Sequence, residues 1–231
     1  LCQPLETERI LLAEAAGRVL RENLSAPEDQ PSFDRSAVDG YAVRLDDSSA
    51  CFHVVDEIRA GDWKPRTLLQ GQTVRIATGG ALPCDGLQVV MLENVRLEND
   101  TVVVLARTNE RSIRFRGEDC KAGQELIRAG TLLSPGTLGL LAGMGFVQPL
   151  VSRLPRVLHV ATGNEIVSPD RTPNRGRIRD ANSTLVRAFL QQNGIVPKQL
   201  RTEEDRTQIK SGIEEAKSNT NLLLISGGAS V

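Results

Sequence analysis

The chain has 231 residues, of which 40 % are hydrophobic, 25 % charged and 3 % aromatic, and its formal net charge is −1. That length exceeds the roughly 100–150 residues typical of one domain, so more than one core is expected. No apolar run approaches the roughly 20 residues of a membrane-spanning helix, and the interspersed charges leave no broad basic face for a phosphate backbone, so neither a membrane nor nucleic acid is an expected partner.

Residues 1–45 open with an expected short helix, because Leu11, Ala15 and Val19 recur at four-residue spacing before Pro27, Pro31 and Asp34 interrupt the pattern. From 46 to 112 the runs FHVVDEI, QTVRIATG, LQVVML and TVVVLA, separated by Gly, Pro and Asn-Asp turns, predict a small β-domain. Residues 113–152 are Gly-rich, with one short helix expected near Thr137–Gly143. Their apolar content is closer to that of residues 1–45 than to that of the β-domain, so the two segments are read as one elongated domain into which the β-domain is inserted. From 153 to 231 strand and helix signals alternate. RVLHVAT and NLLLIS have the continuous apolar character of strands buried on both faces of a parallel sheet. NSTLVRAFLQQNG predicts a helix capped by Asn182 or Ser183, with a stripe through Leu185, Val186, Phe189 and Leu190, and a second helix is expected over about 204–217. The fold class expected is α/β and multidomain, ending in an incomplete parallel-sheet domain.

Cys2, Cys51, Cys84 and Cys120 show no metal-ligand or redox spacing, so each reads as a small buried hydrophobe in a reduced, cytoplasmic protein. The opening residues carry no charged-then-apolar leader, and the last ones stop after a strand and a glycine turn. The chain therefore reads as truncated at both ends.

Two turns fall where parallel strands end, which is where ligands bind in such sheets. SGGAS, with Ser226, Gly227, Gly228 and Ser230, offers backbone N–H groups and hydroxyls to an anion. It lacks the Lys of a Walker motif, and a bare strand-to-helix turn is the competing reading. ATGNE supplies Glu165 and RIRDANS supplies Asp180. Two carboxylates beside an anion site suit Mg²⁺ shared with phosphate oxygens, while capped or solvated turns are the alternative. PSFDRSAVDGYAVR is a dense polar stretch, too irregular for a plain strand, that carries Asp39. RIATGGALP carries Thr78, and IRFRGEDC carries Arg114, Arg116, Glu118 and Asp119. Of the two histidines, His159 lies within an apolar strand, so a histidine general base is not expected.

Taken in order, FDRSAVDGYAVR, RIATGGALP, IRFRGEDCKAGQELIRAGTLLSPGTLGLLAGMG, VATGNEIV, RIRDANS and LISGGASV resemble the MoeA-type molybdopterin molybdenumtransferases, which include the E domain of gephyrin. The resemblance spans nearly the whole chain. It implies an elongated split domain, an inserted β-domain and a molybdopterin-binding α/β domain, with the family's C-terminal β-domain absent. It also implies that molybdate is inserted into adenylylated molybdopterin with Mg²⁺-dependent release of AMP. Matching positions make Asp39, Thr78, Asp119 and Glu165 the expected catalytic residues, and Ser226, Gly227, Gly228, Ser230, Asn182 and Arg116 the expected substrate-binding ones. Asp180 and Glu165 are the expected metal ligands. Partners implied are a second copy in a homodimer and a molybdopterin adenylyltransferase upstream. A pterin carrier or a gephyrin-like scaffolding module is the alternative function.

Overall fold

A computed structural model describes residues 3–203, 206–217 and 219–227. The chain divides into two compact units, Leu1–Asn23 with Ile127–Val231, and Leu24–Leu126.

The unit Leu24–Leu126 is built on one six-stranded mixed sheet. Its strands are β1 (Gly40–Arg44), β2 (Cys51–Ile58), β3 (Gln72–Ile76), β4 (Leu87–Met91), β5 (Val95–Glu98) and β6 (Thr101–Val104), in the spatial order β4-β1-β3-β2-β6-β5. Only β2 and β3 run parallel. Alternation along the strands sends Ala42, Val74, Ile76 and Val89 into one core and Val43, Phe52 and Val90 into another, on opposite faces. The sheet therefore includes residues 40–44, which lie ahead of the first run legible in the sequence. β1 is a central strand, where an irregular segment was expected. The reason is local: a Cβ on Gly40 would lie 2.2 Å from the Val90 carbonyl oxygen, so only glycine lets β1 approach β4 this closely. A short antiparallel ladder pairs Arg35–Ser36 with Ile113–Arg114 in the same unit.

In the other unit, β7 (Val157–Thr162), β8 (Lys198–Thr202) and β9 (Leu222–Ser226) form a parallel sheet in the order β8-β7-β9. Every residue of β7 is buried, as its unbroken apolar run predicts. The helices are α1 (Pro135–Gly143), α2 (Ala181–Gln191) and α3 (Arg206–Lys217). The Ser134 hydroxyl caps α1 by accepting from the Thr137 N–H, with Pro135 inside the first turn. Asp180 caps α2, in place of the expected Asn182 or Ser183, because its carboxylate reaches the Ser183 N–H at 2.9 Å. Leu190 of the expected stripe is buried and Val186 half-buried, whereas Leu185 and Phe189 are 68 % and 65 % exposed. The expected N-terminal helix is a single 3-10 turn, Leu12–Glu14. Ala15 caps it, Gly17 then turns the chain with φ +73°, and Val19 bridges to Leu132 in extended pairing. Thr7–Arg9 pairs antiparallel with Leu150–Ser152. Glu204 and Asp205, expected in the last helix, lie outside the described residues.

Among the described residues no helix is long and apolar enough to cross a membrane. Cys120 is buried and Cys84 half-buried, but Cys51 is exposed because it begins β2 on the outward side of the alternation; Cys2 lies outside the described residues.

Candidate functional site

In the unit Leu24–Leu126 three sequence-distant motifs interlock. The Ser36 N–H donates to the Gly80 carbonyl at 2.9 Å, the Gly79 N–H donates to the Ser36 carbonyl at 2.8 Å, and the Leu82 N–H donates to the Asp34 carbonyl at 3.0 Å. On its other side Arg35–Ser36 pairs with Ile113–Arg114, and the Arg116 N–H donates to the Asp34 carboxylate at 2.7 Å. The TGG turn needs its glycines for two reasons. Gly79 sits at φ +79°, and a Cβ on Gly80 would meet the Ala77 carbonyl oxygen at 2.9 Å.

This framework joins Asp39 to Thr78. Asp39 Oδ1 accepts from the Thr78 N–H at 2.7 Å and from the Thr78 hydroxyl at 2.9 Å. These two bonds, the backbone one first, hold the carboxyl below its ordinary pKa, so it is ionised. Oδ2 has no hydrogen-bond partner among the described residues. Asp119 is paired instead with Arg114, whose Nε also lies 3.3 Å from Glu118. Arg116 pairs with Asp29 at 2.8 Å. The N–H of Ala122 and then Arg116 itself lower the Asp29 pKa, which makes this contact a clamp between loops. Its importance was not apparent from the sequence, because Asp29 carries no motif.

In the other unit the carboxyl ends of the three parallel strands come together. A Cβ on Gly227, which has φ +112°, would lie 2.0 Å from the Thr162 carbonyl oxygen, so the turn after β9 is pressed onto the end of β7. The Gly163 N–H donates to the Thr202 carbonyl at 3.3 Å, tying in β8. Glu165 is exposed and its carboxylate lies over Gly163, within 2.7 Å of where a Cβ would stand. A polar cavity of about 480 Å³ opens at these strand ends, lined by Asn164, Ser168, Arg171, Arg177 and Arg201 among others. Arg171 and Arg177, with Arg201 shared with Asp180, offer cationic partners to an anion beside the carboxylates of Asp170 and Glu203, and the composition of the turns alone did not reveal them.

Asp180 is joined to this region by the parallel pairing of Ile166–Val167 with Ile178–Arg179. It is 3 % exposed and fully engaged. Oδ1 accepts from the Ser183 N–H, and Oδ2 accepts from the Ser183 hydroxyl at 2.6 Å and from Arg201 at 2.9 and 3.1 Å. Burial raises its pKa, but the Ser183 and Arg201 bonds outweigh that and the net shift is downward. A carboxylate so committed does not fit the metal-ligand role read from the sequence. Among the described residues no group of three or more His, Cys, Asp or Glu stands together. Asn182 is exposed in the first turn of α2, while Gly228 and Ser230 lie outside the described residues.

Comparison with known proteins follows the same partition of motifs. Residues 1–145 match the model of the MoeA N-terminal region (domain I and II), and residues 159–231 match that of a probable molybdopterin binding domain. The molybdopterin molybdenumtransferase of Nostoc sp. is 35 % identical over 98 % of this chain and 54 % of its own length. That of Staphylococcus epidermidis is 31 % identical over 96 % of this chain and 55 % of its own. The crystal structure of the molybdopterin biosynthesis moeA protein from Pyrococcus horikoshii superposes with a TM-score of 0.85 at 31 % identity, covering 96 % of this chain and 62 % of that one. The chain thus spans about half the length of the curated relatives it matches. With the N-terminal model alone matching residues 1–145, in the order in which the DGYA, TGG and GED motifs occur, the chain belongs to the MoeA family.

Proposed function

We propose that this chain is the substrate-holding portion of a molybdopterin molybdenumtransferase, acting in molybdenum cofactor biosynthesis by inserting molybdate into adenylylated molybdopterin with release of AMP. The observation that carries the reading is the packing of the Ser226–Gly227 turn onto Thr162–Gly163, next to a polar cavity with three arginines in its wall at the carboxyl ends of β7 and β8. Cleaving a phosphate–phosphate bond calls for positioning and charge neutralisation more than for covalent chemistry from the protein. Turn amides and arginines at a strand-end crevice supply both.

A Mg²⁺ ion arriving with the substrate phosphates would find exposed carboxylates here in Glu165 and in Asp170 and Glu203 of the cavity lining, since Mg²⁺ commonly keeps one or two carboxylates plus phosphate oxygens. The ion would supply charge neutralisation. Asp180 caps a helix and holds Arg201 at the cavity wall. Asp39, ionised and fixed by Thr78, presents Oδ2 to a donor or cation. The test is molybdate-dependent release of AMP from adenylylated molybdopterin by the full-length protein; no release above a boiled control would overturn the reading.

We also propose that residues 1–45 and 113–152, apart from β1 (Gly40–Arg44), which pairs within the sheet of the inserted unit, are one split domain with 46–112 inserted and 153–231 as the molybdopterin-binding domain. The pairings of Thr7–Arg9 with Leu150–Ser152 and of Arg35–Ser36 with Ile113–Arg114 support this. The protein is further proposed to work in the cytoplasm as a homodimer supplied by a molybdopterin adenylyltransferase. Exposed Leu185 and Phe189 on α2 support a covered surface, and a monomer by light scattering of the full-length protein would exclude the dimer.

A further inference from the structure

His159 is fully buried in β7, a strand whose other residues, apart from Thr162, are apolar. In register it stands opposite Gln199 of β8, and side chains alternate along strands, so both lie on the sheet face that the first turn of α2 covers. Ser226, two residues beyond the partner of His159 on β9, reaches the same face.

The orientation of Gln199 fixes the proton of the ring. Its Oε1 accepts from Arg187 Nε at 2.8 Å, and its Nε2 donates to the Ser183 carbonyl at 2.7 Å. A guanidinium can only donate and a carbonyl can only accept, so flipping the amide would lose both bonds. The second hydrogen on Nε2 therefore meets His159 Nδ1 at 3.2 Å, and Nδ1 accepts it. The one hydrogen of the neutral imidazole is then on Nε2, 2.9 Å from Ser226 Oγ, which accepts in turn. Among the described residues His159 is the only hydrogen-bond partner of that hydroxyl. Burial lowers the pKa of the ring, with the charge of Asp180 pulling weakly the other way, which keeps the ring neutral.

We propose that His159 is a positioning residue whose enforced Nε2–H tautomer makes Ser226 Oγ an acceptor toward the core and thereby aims the Ser226 hydroxyl hydrogen outward, as a fixed donor to a phosphate oxygen at the Ser226–Gly227 turn. This rests on the reading of that turn as the phosphate site. A free serine hydroxyl divides its hydrogen among several directions. One already receiving a hydrogen bond is preorganised as a donor, and such a donor needs no reorganisation when ligand arrives. The relay runs in one direction from Gln199 through the ring to the hydroxyl, and no proton is transferred.

The first test is independent of substrate. Long-range ¹H–¹⁵N spectra of the full-length protein labelled at histidine should show one ring with Nε2 protonated and Nδ1 bare. An Nδ1–H pattern for His159 would overturn the proposal.

The second test uses AMP as probe, by calorimetry on the full-length protein. Ser226→Ala and His159→Leu should each weaken AMP binding by about tenfold, and the double variant should lose no more than either alone. His159→Gln, whose amide N–H can replace the Nε2 donor, should recover most of the loss; a merely space-filling histidine would be better replaced by Leu than by Gln. Loss in Ser226→Ala without loss in a folded His159→Leu would overturn the positioning role alone. Unchanged affinity in Ser226→Ala would remove the turn from the phosphate site and overturn the functional reading with it.

Discussion

Asp39 and Asp180 are both acids within polar motifs, and their surroundings assign them opposite roles. Asp180 is 3 % exposed with both oxygens committed to Ser183 and Arg201, so its contribution is to hold the start of α2 and the cavity wall. Asp180→Ala removes a helix cap and leaves Arg201 without its carboxylate. The expected cost is about 2–3 kcal/mol in urea denaturation. Asp180→Asn, which keeps an acceptor for the Ser183 N–H, should cost less. Equal losses would mean that the cap bond is not what matters. Asp39 is different because a single oxygen takes both Thr78 bonds. Asp39→Asn retains that oxygen as acceptor and removes only the charge. AMP release by the full-length protein should then fall by roughly 10²-fold with little change in thermal midpoint. Full activity with a lowered midpoint would instead make Asp39 a turn residue.

At the scale of elements, legibility followed the strength of the alternation. β2, β3, β4 and β6 were readable from FHVVDEI, QTVRIATG, LQVVML and TVVVLA because half-buried strands impose a period of two. β5, with the sequence VRLE, was not, since as an edge strand it needs little apolar surface. β1 was hidden by the charged residues Asp39 and Arg44 at its ends and by a glycine whose purpose appears only when Val90 is placed beside it. In the candidate site the glycine turns were legible because close backbone approach demands that residue. The His159–Gln199–Ser226 contacts were not, because they depend on strand register between positions forty and sixty-seven residues from His159. Two glycines make the packing argument testable in opposite directions. Gly40→Ala places a Cβ against the Val90 carbonyl and should destabilise the unit Leu24–Leu126 by about 3 kcal/mol. Gly139→Ala lies in α1 with nothing within 4 Å of the new Cβ, so it should stabilise by about 0.5–1 kcal/mol through helix propensity. Urea midpoints decide both, and a tolerated Gly40→Ala would mean that β1 and β4 are not held at this distance.

For the molecule as a whole, the shifted carboxylates and His159 agree in sign, which fixes the dependence of stability on pH on the acid side. Glu22, Asp29, Asp39, Asp46, Asp47, Asp56, Asp170 and Asp180 all have lowered pKa values in the fold. Each contributes stability that is fully present above its unfolded pKa, and that stability is lost as the pH falls through the folded value. His159 acts in the same direction but earlier. Burial lowers its pKa from the ordinary 6.5, so below that pH the unfolded chain binds a proton that the folded chain refuses. The folded state therefore loses ground as pH falls, even though histidine gains charge. The groups facing the ring do not reverse this: Asp180 favours the charged form but is already paired with Arg201, and Arg187 is engaged by Gln199. Stability should hold level from about pH 8 to 6.5, decline gently toward about pH 5 on account of His159, and fall steeply below about pH 4 as the carboxylates protonate. Urea titrations across that range, followed by hydrogen exchange in β7, isolate the histidine contribution when the wild-type protein is compared with His159→Leu. The variant has no ring to titrate there and should stay level to about pH 5. If it keeps the full slope between pH 6.5 and 5, the decline belongs to other groups and His159 is not held neutral by the fold.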